Sequence, residues 1–162
     1  MAFHLENYRN ITASLIGQEI IELSNSQYFY NGVASLDDIG EIELIFSSGT
    51  AICLNLQSDG ESVNIRNGKL IIPKGFNISE EETASWEKLS LDKASCFIGK
   101  EVISITQMID HHIDQKTDVI SGFKISFNDQ SYFIYYNCGD EAKFLINKFP
   151  CYAGEGIETR WK

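Results

Sequence analysis

The sequence is short of proline, histidine and positive charge, and it has no long apolar run. Only 2 prolines occur in 162 residues, which leaves no proline-rich linker. The 3 histidines and 4 cysteines fall in no zinc-binding spacing, and no Cys-x-x-Cys occurs. Metal ligation and dithiol redox chemistry are therefore not expected. Cys53, Cys96, Cys138 and Cys151 sit in or beside apolar segments and read as buried, reduced thiols. Against 23 acidic residues stand 13 basic ones, for a formal charge of −10. Such a field repels phosphate backbones and anionic lipid surfaces, so neither a nucleic acid nor a membrane is an expected partner. No stretch approaches the roughly 20 apolar residues that span a bilayer. The N-terminus lacks a charged segment followed by an apolar one, so the expected location is the cytoplasm. Phosphate loops and the Gly-x-Ser-x-Gly elbow are absent too. No cofactor and no catalytic residue is assigned.

What is present is an ordinary globular composition, 43% hydrophobic and 12% aromatic. A chain of this size buries enough surface to fold without crosslinks, and residues 1–162 read as a single domain. Within it a motif recurs. Ile16-Gly17-Gln18-Glu19-Ile20-Ile21-Glu22-Leu23 matches Ile98-Gly99-Lys100-Glu101-Val102-Ile103-Ser104-Ile105, at an offset of 98 − 16 = 82. A polar stretch follows each copy, and then two apolar runs. Phe46 and Phe127 end the first run of each half, at an offset of 127 − 46 = 81. Turn residues such as Ser47-Ser48-Gly49 and Asn128-Asp129-Gln130 keep the same places. These matches predict internal repeats at about 11–66 and 94–147.

The apolar runs alternate with period two. Ile42, Leu44 and Phe46 form one face, Ile52 and Leu54 another, then Phe123, Ile125 and Phe127, then Phe133 and Tyr135. Alternation with β-branched and aromatic enrichment marks half-buried strands, and short polar links suit hairpins. Gly68–Gly75 reads as a short strand ended by Pro73. Ser79 with Glu82 resembles a capping box, which predicts a helix from Glu80 to about Leu89 with Trp86 and Leu89 toward the core. A second helix is expected over Glu6 to about Leu15. The expected fold is α+β, mainly antiparallel β, with two pseudo-symmetric β-rich halves each carrying a short helix.

The densest polar cluster is Asp110-His111-His112-Ile113-Asp114. Adjacent histidines diverge on either a strand or a helix, so they chelate poorly, and a solvated loop or helix end is the simpler reading. The two polar connections, Ser24 to Ile39 and Thr106 to Ile120, are long for loops in a compact domain, and such loops often carry function. The first holds Tyr28, Tyr30, Asp37 and Asp38; the second holds Asp110, Asp114 and Asp118. Aromatic anchors beside carboxylates suit a basic protein surface. The plainer alternative makes Tyr28–Tyr30 an edge strand. Tyr132, Ile134 and Tyr136 lie opposite the presumed core face of their strand. They offer Tyr132 and Tyr136 as further anchors, unless another part of the chain covers them.

Small size, acidity, β-rich runs and the lack of a targeting signal or active site together resemble the immunity proteins of contact-dependent growth inhibition and other polymorphic toxin systems. The resemblance spans the whole chain and carries no diagnostic motif. It implies a protein without enzymatic activity that binds a cognate toxin domain, basic and often a nuclease, in the cytoplasm. The alternatives are a self-associating structural or adaptor protein, and a small-ligand-binding protein. Monomer and dimer both stay open.

Overall fold

Each copy of the Ile-Gly-x-Glu motif turns the chain from a helix into a strand. Gly17 and Gly99 hold left-handed backbone, at φ of +82° and +79°, a conformation that strains any residue with a Cβ. They lead into β1 (Ile20–Tyr30) and β8 (Val102–His112). Before β1 lies α1 (Ala2–Leu15), and before β8 a 3-10 helix, Asp92–Phe97. The computed structural model describes residues 2–151 and 154–162, with side chains from Tyr8 onward. The other strands are β2 (Val33–Ala34), β3 (Ile42–Phe46), β4 (Ala51–Leu56), β5 (Val63–Asn67), β6 (Phe76–Asn77), β7 (Thr83–Ser90), β9 (Thr117–Phe127), β10 (Tyr132–Asn137), β11 (Ala142–Ile146) and β12 (Ile157–Trp161).

These strands make two antiparallel sheets. The first runs β5-β4-β3-β1-β7-β6, with β2 folded back on the end of β1; the second runs β11-β10-β9-β8-β12. The sheets meet where Glu19 and Glu101 form an antiparallel bridge. Backbone bonds around this corner come in exchanged pairs. Gly17 N–H donates to Val102 O at 2.8 Å, and Gly99 N–H to Ile20 O at 2.7 Å. Ser47 N–H donates to Glu19 O at 2.9 Å, and Asn128 N–H to Glu101 O at 3.1 Å. Strand β1 bulges between Ile20 and Glu22, and β8 between Val102 and Ser104.

The inner faces supply the core. Leu23, Leu44 and Ile52 face Phe123, Ile125, Phe133 and Tyr135, all buried. Phe97 of the 3-10 helix stacks on Phe127 at 4.8 Å, and Phe144 on Phe133 at 4.7 Å. Each such burial contributes about 1.5–3 kcal/mol. Helix α1 packs through Leu15, fully buried, and through Tyr8, whose ring lies 5.9 Å from Phe123. The Tyr8 hydroxyl donates to Asn64 Oδ1 at 2.9 Å.

Both outer faces are partly covered by the chain itself. Residues 68–75 lead from β5, at one edge of the first sheet, to β6 at the other. Their start is held by three side chains. The Cys53 thiol donates to Gly68 O at 3.3 Å, Arg66 donates to Lys69 O at 3.2 Å, and Glu43 accepts the Leu70 N–H at 2.5 Å. Glu43 has no exposed surface and also takes the Lys88 ammonium at 2.5 Å. Burial pushes its pKa up, but the Lys88 and Leu70 bonds outweigh that and hold it below the ordinary carboxylate value. Burial pushes the Cys53 thiol up to about 11. On the second sheet Phe149 packs against Tyr132 at 5.4 Å and Trp161 at 5.3 Å, with the Lys124 ammonium over the Tyr132 and Phe149 rings.

Several expectations are corrected. Residues 83–90 form strand β7, not a helix, because seven residues of β1 from Ser24 to Tyr30 pair with it. The Ser79–Glu82 contact is present, but Ile78 N–H donates to Glu82 O at 2.7 Å and closes a turn between strands. Trp86 accordingly lies beside Tyr28 and Phe76 rather than in the core, and Leu89 is exposed. Gly68–Gly75 is not a strand. The two polar stretches are not long loops. Ser24 to Tyr30 continues β1, and Thr106 to Ile120 is the far end of the β8–β9 hairpin, turning only at residues 113–116. Tyr28–Tyr30 is no edge strand, since β7 pairs with it on one side and β2 pairs with Phe29 and Tyr30 on the other. The helix expected over Glu6 to about Leu15 is α1, whereas the short helix before β8 is a 3-10 turn. Of the cysteines only Cys53 is buried; Cys96, Cys138 and Cys151 are exposed.

Candidate protein-binding surface

One end of the molecule gathers four connections, two from each sheet, and it is acidic. Its first component is the loop after β2. Asn25 and Gln27, polar but buried on β1, hold this loop by donating to Ile39 O at 2.9 Å and Ser35 O at 2.7 Å. Asp38 Oδ1 accepts the N–H groups of Gly40 at 3.0 Å and Ala142 at 3.2 Å, which docks the loop on the start of β11. Lys143 donates to Asp37 O at 2.7 Å and to Glu141 at 2.8 Å. The Glu141 hydrogen bond raises the Lys143 pKa, so this lysine stays charged.

The β10–β11 turn next meets the β4–β5 turn. Asn137 Nδ2 donates to Gly60 O at 2.9 Å, and Asn137 Oδ1 accepts the Asp140 N–H at 3.0 Å. Asp59 closes its own turn by accepting from Glu61 N at 3.0 Å and Ser62 N at 2.8 Å. Glu61 then approaches His112 Nε2 at 3.6 Å, near the tip of the β8–β9 hairpin. His111 Nδ1 lies 2.7 Å from Asp118 across that hairpin. A continuous arc results. Asp37, Glu141, Asp140, Asp59, Glu61, Asp118 and Asp114 are all exposed, and Lys143 and Lys116 are the lysines among them.

Of the residues singled out in the sequence, Asp37, Asp38, Asp114 and Asp118 belong to this arc, although Asp38 is spent on backbone N–H groups. Asp110 does not belong. It lies within β8, where Thr159 of β12 donates to it at 2.6 Å. Tyr28 and Tyr30 sit elsewhere, on the outer face of the first sheet. Tyr28 packs on Trp86 at 5.1 Å, and Phe76 lies 6.0 Å from the same ring. The Tyr30 hydroxyl donates to Glu82, which raises its pKa. Tyr132 and Tyr136 are half-buried, and Ile134 between them is fully buried, so the chain covers much of that face itself.

The arc also holds residues that reading the sequence passed over: Asp59, Glu61, Asp140 and Glu141. One signal was available, because Asp59 and Asp140 share the repeat offset, 140 − 59 = 81. Among the described residues no group of three or more His, Cys, Asp or Glu is placed to hold a metal ion. No described helix is long and apolar enough to cross a membrane. Comparison with protein-family models, with curated proteins and with solved structures gave no match.

Proposed function

We propose that this chain is an immunity protein, which binds and neutralises a basic toxin domain in the cytoplasm by protein–protein contact. The observation that carries the reading is the acidic arc. Carboxylates drawn from four separate connections share one end, with two lysines among them, in a chain of formal charge −10. A toxin that binds a phosphate backbone presents clustered cations, and the arc offers them carboxylates instead. Such complementarity raises association rates and suppresses wrong partners. Self-association through Tyr132, Ile134 and Tyr136 has less support, since Ile134 exposes nothing.

We also infer that the two sheets are copies of one unit related by a pseudo-twofold axis through the Glu19–Glu101 bridge. The shared strand order, the exchanged bonds at the corner and the matching bulges support this. Duplication would then have made the acidic end twice, with Asp37 and Asp118 as counterparts at 118 − 37 = 81.

Co-expression tests the function. A protein captured with this chain should arrest growth when expressed alone and cease to do so when this chain is supplied. A captured partner that is harmless alone would count against the immunity reading.

A further inference from the structure

Strand β7 is left half-paired. On one side it pairs with β1 along Ala84–Ser90. On the other, β6 covers only Thr83 and Ala84. At Gly75 the chain still lies close against β7, where a Cβ would sit 2.9 Å from Ala84 O and 3.2 Å from Ser85 Cβ. Past that point, among the described residues, no strand pairs with the outer edge of Ser85–Ser90. Glu87–Ser90 are exposed, Leu89 at 39%. An open run of backbone donors and acceptors is a template for another strand.

The charge around this edge indicates its occupant. Glu80, Glu81 and Glu82 form the turn that enters β7, and Glu87 is exposed on it. The cation on the strand, Lys88, is engaged by Glu43 at 2.5 Å and Glu22 at 3.2 Å. The corresponding edge of the second sheet is different. There Glu158 and Arg160 of β12 pair with each other at 3.6 Å and cancel.

We propose that the outer edge of β7 accepts an extended, basic segment of a protein partner, which adds a strand to the first sheet. Backbone bonds to Trp86–Ser90 supply the affinity, and Glu87 with the Glu80–Glu82 turn selects lysine or arginine on the incoming strand. A second copy of this chain would bring a like-charged edge against it. The proposal rests on the reading of a basic protein partner, but it needs no toxin for its test.

The test titrates the full-length protein with a blocked octapeptide of alternating lysine and valine, reading backbone amide signals by NMR. A control peptide has the same sequence with alternate amides N-methylated, which removes strand hydrogen bonding and keeps the charge. The expected result is saturable shifts at Trp86–Ser90, with the methylated peptide at least tenfold weaker. Three results would overturn the proposal: no shift at β7, equal binding of both peptides, or shifts confined to β12 or the acidic arc. Movement of the β7 signals on concentrating the protein alone would make a second copy the occupant, and also overturns it. Any of these leaves the toxin-binding reading to stand or fall on co-expression.

Discussion

At the scale of single residues, Glu43 is a buried charge with a direct consequence for stability. Its side chain has no exposed surface, yet it is charged, because Lys88 and the Leu70 N–H both bond it. Removing one partner of a buried pair leaves the other uncompensated, at a cost of about 3–5 kcal/mol when both are buried. Lys88 is 37% exposed, so water recovers part of that loss. Glu43→Ala should cost about 2–3 kcal/mol in urea denaturation. The pH dependence follows from the lowered pKa. The stabilisation is complete above the ordinary glutamate value and is lost as pH falls through the folded one. Glu43→Gln should therefore flatten the acid side of the stability profile, while the neutral side drops by a nearly constant amount. An unchanged acid limb would mean the carboxylate is not ionised in the fold.

At the scale of elements, the corner turns test whether the two sheets are equivalent. A Cβ on Gly17 or on Gly99 would meet nothing within 4 Å, so only the left-handed backbone opposes a side chain there. Gly17→Ala and Gly99→Ala should each cost about 1–2 kcal/mol, and the two values should agree within error in denaturant titrations. Widely different costs would contradict the pseudo-twofold relation. The strands β3, β4, β10 and the later part of β9 were legible in the sequence because large apolar residues recur at every second position and short polar turns separate the runs. The ends of β1 and β8 were not. In β1, Asn25 and Gln27 are buried polar residues satisfied by loop carbonyls 14 and 8 residues away, which no local pattern reveals. Strand β7 was misread for a related reason. A local Ser-x-x-Glu signal favoured a helix start, and pairing with β1 overrode it.

At the scale of the whole molecule, a net charge of −10 is joined by an exposed concentration of carboxylates at one end. Asp37, Asp114 and Asp118 were visible as candidates, but their assembly with Asp59, Glu61 and Asp140 depends on turns from both sheets meeting, and spacing alone could not indicate that. Not every carboxylate there is free to be changed. Asp38 holds two backbone N–H groups and Asp110 holds Thr159, so their loss would perturb folding as well as binding. Among the described residues no backbone N–H donates to the side chain of Asp37, Asp114, Asp118 or Asp140, and these are the residues to neutralise. Capture from the cells that make the protein, with the tagged wild type and with the combined variant Asp37→Asn, Asp114→Asn, Asp118→Asn and Asp140→Asn, is the most direct measurement. At low salt the wild type should retain one stoichiometric basic protein, with recovery roughly tenfold lower for the variant and reduced at about 0.5 M salt. A partner retained equally by both proteins at both salt concentrations would contradict the account.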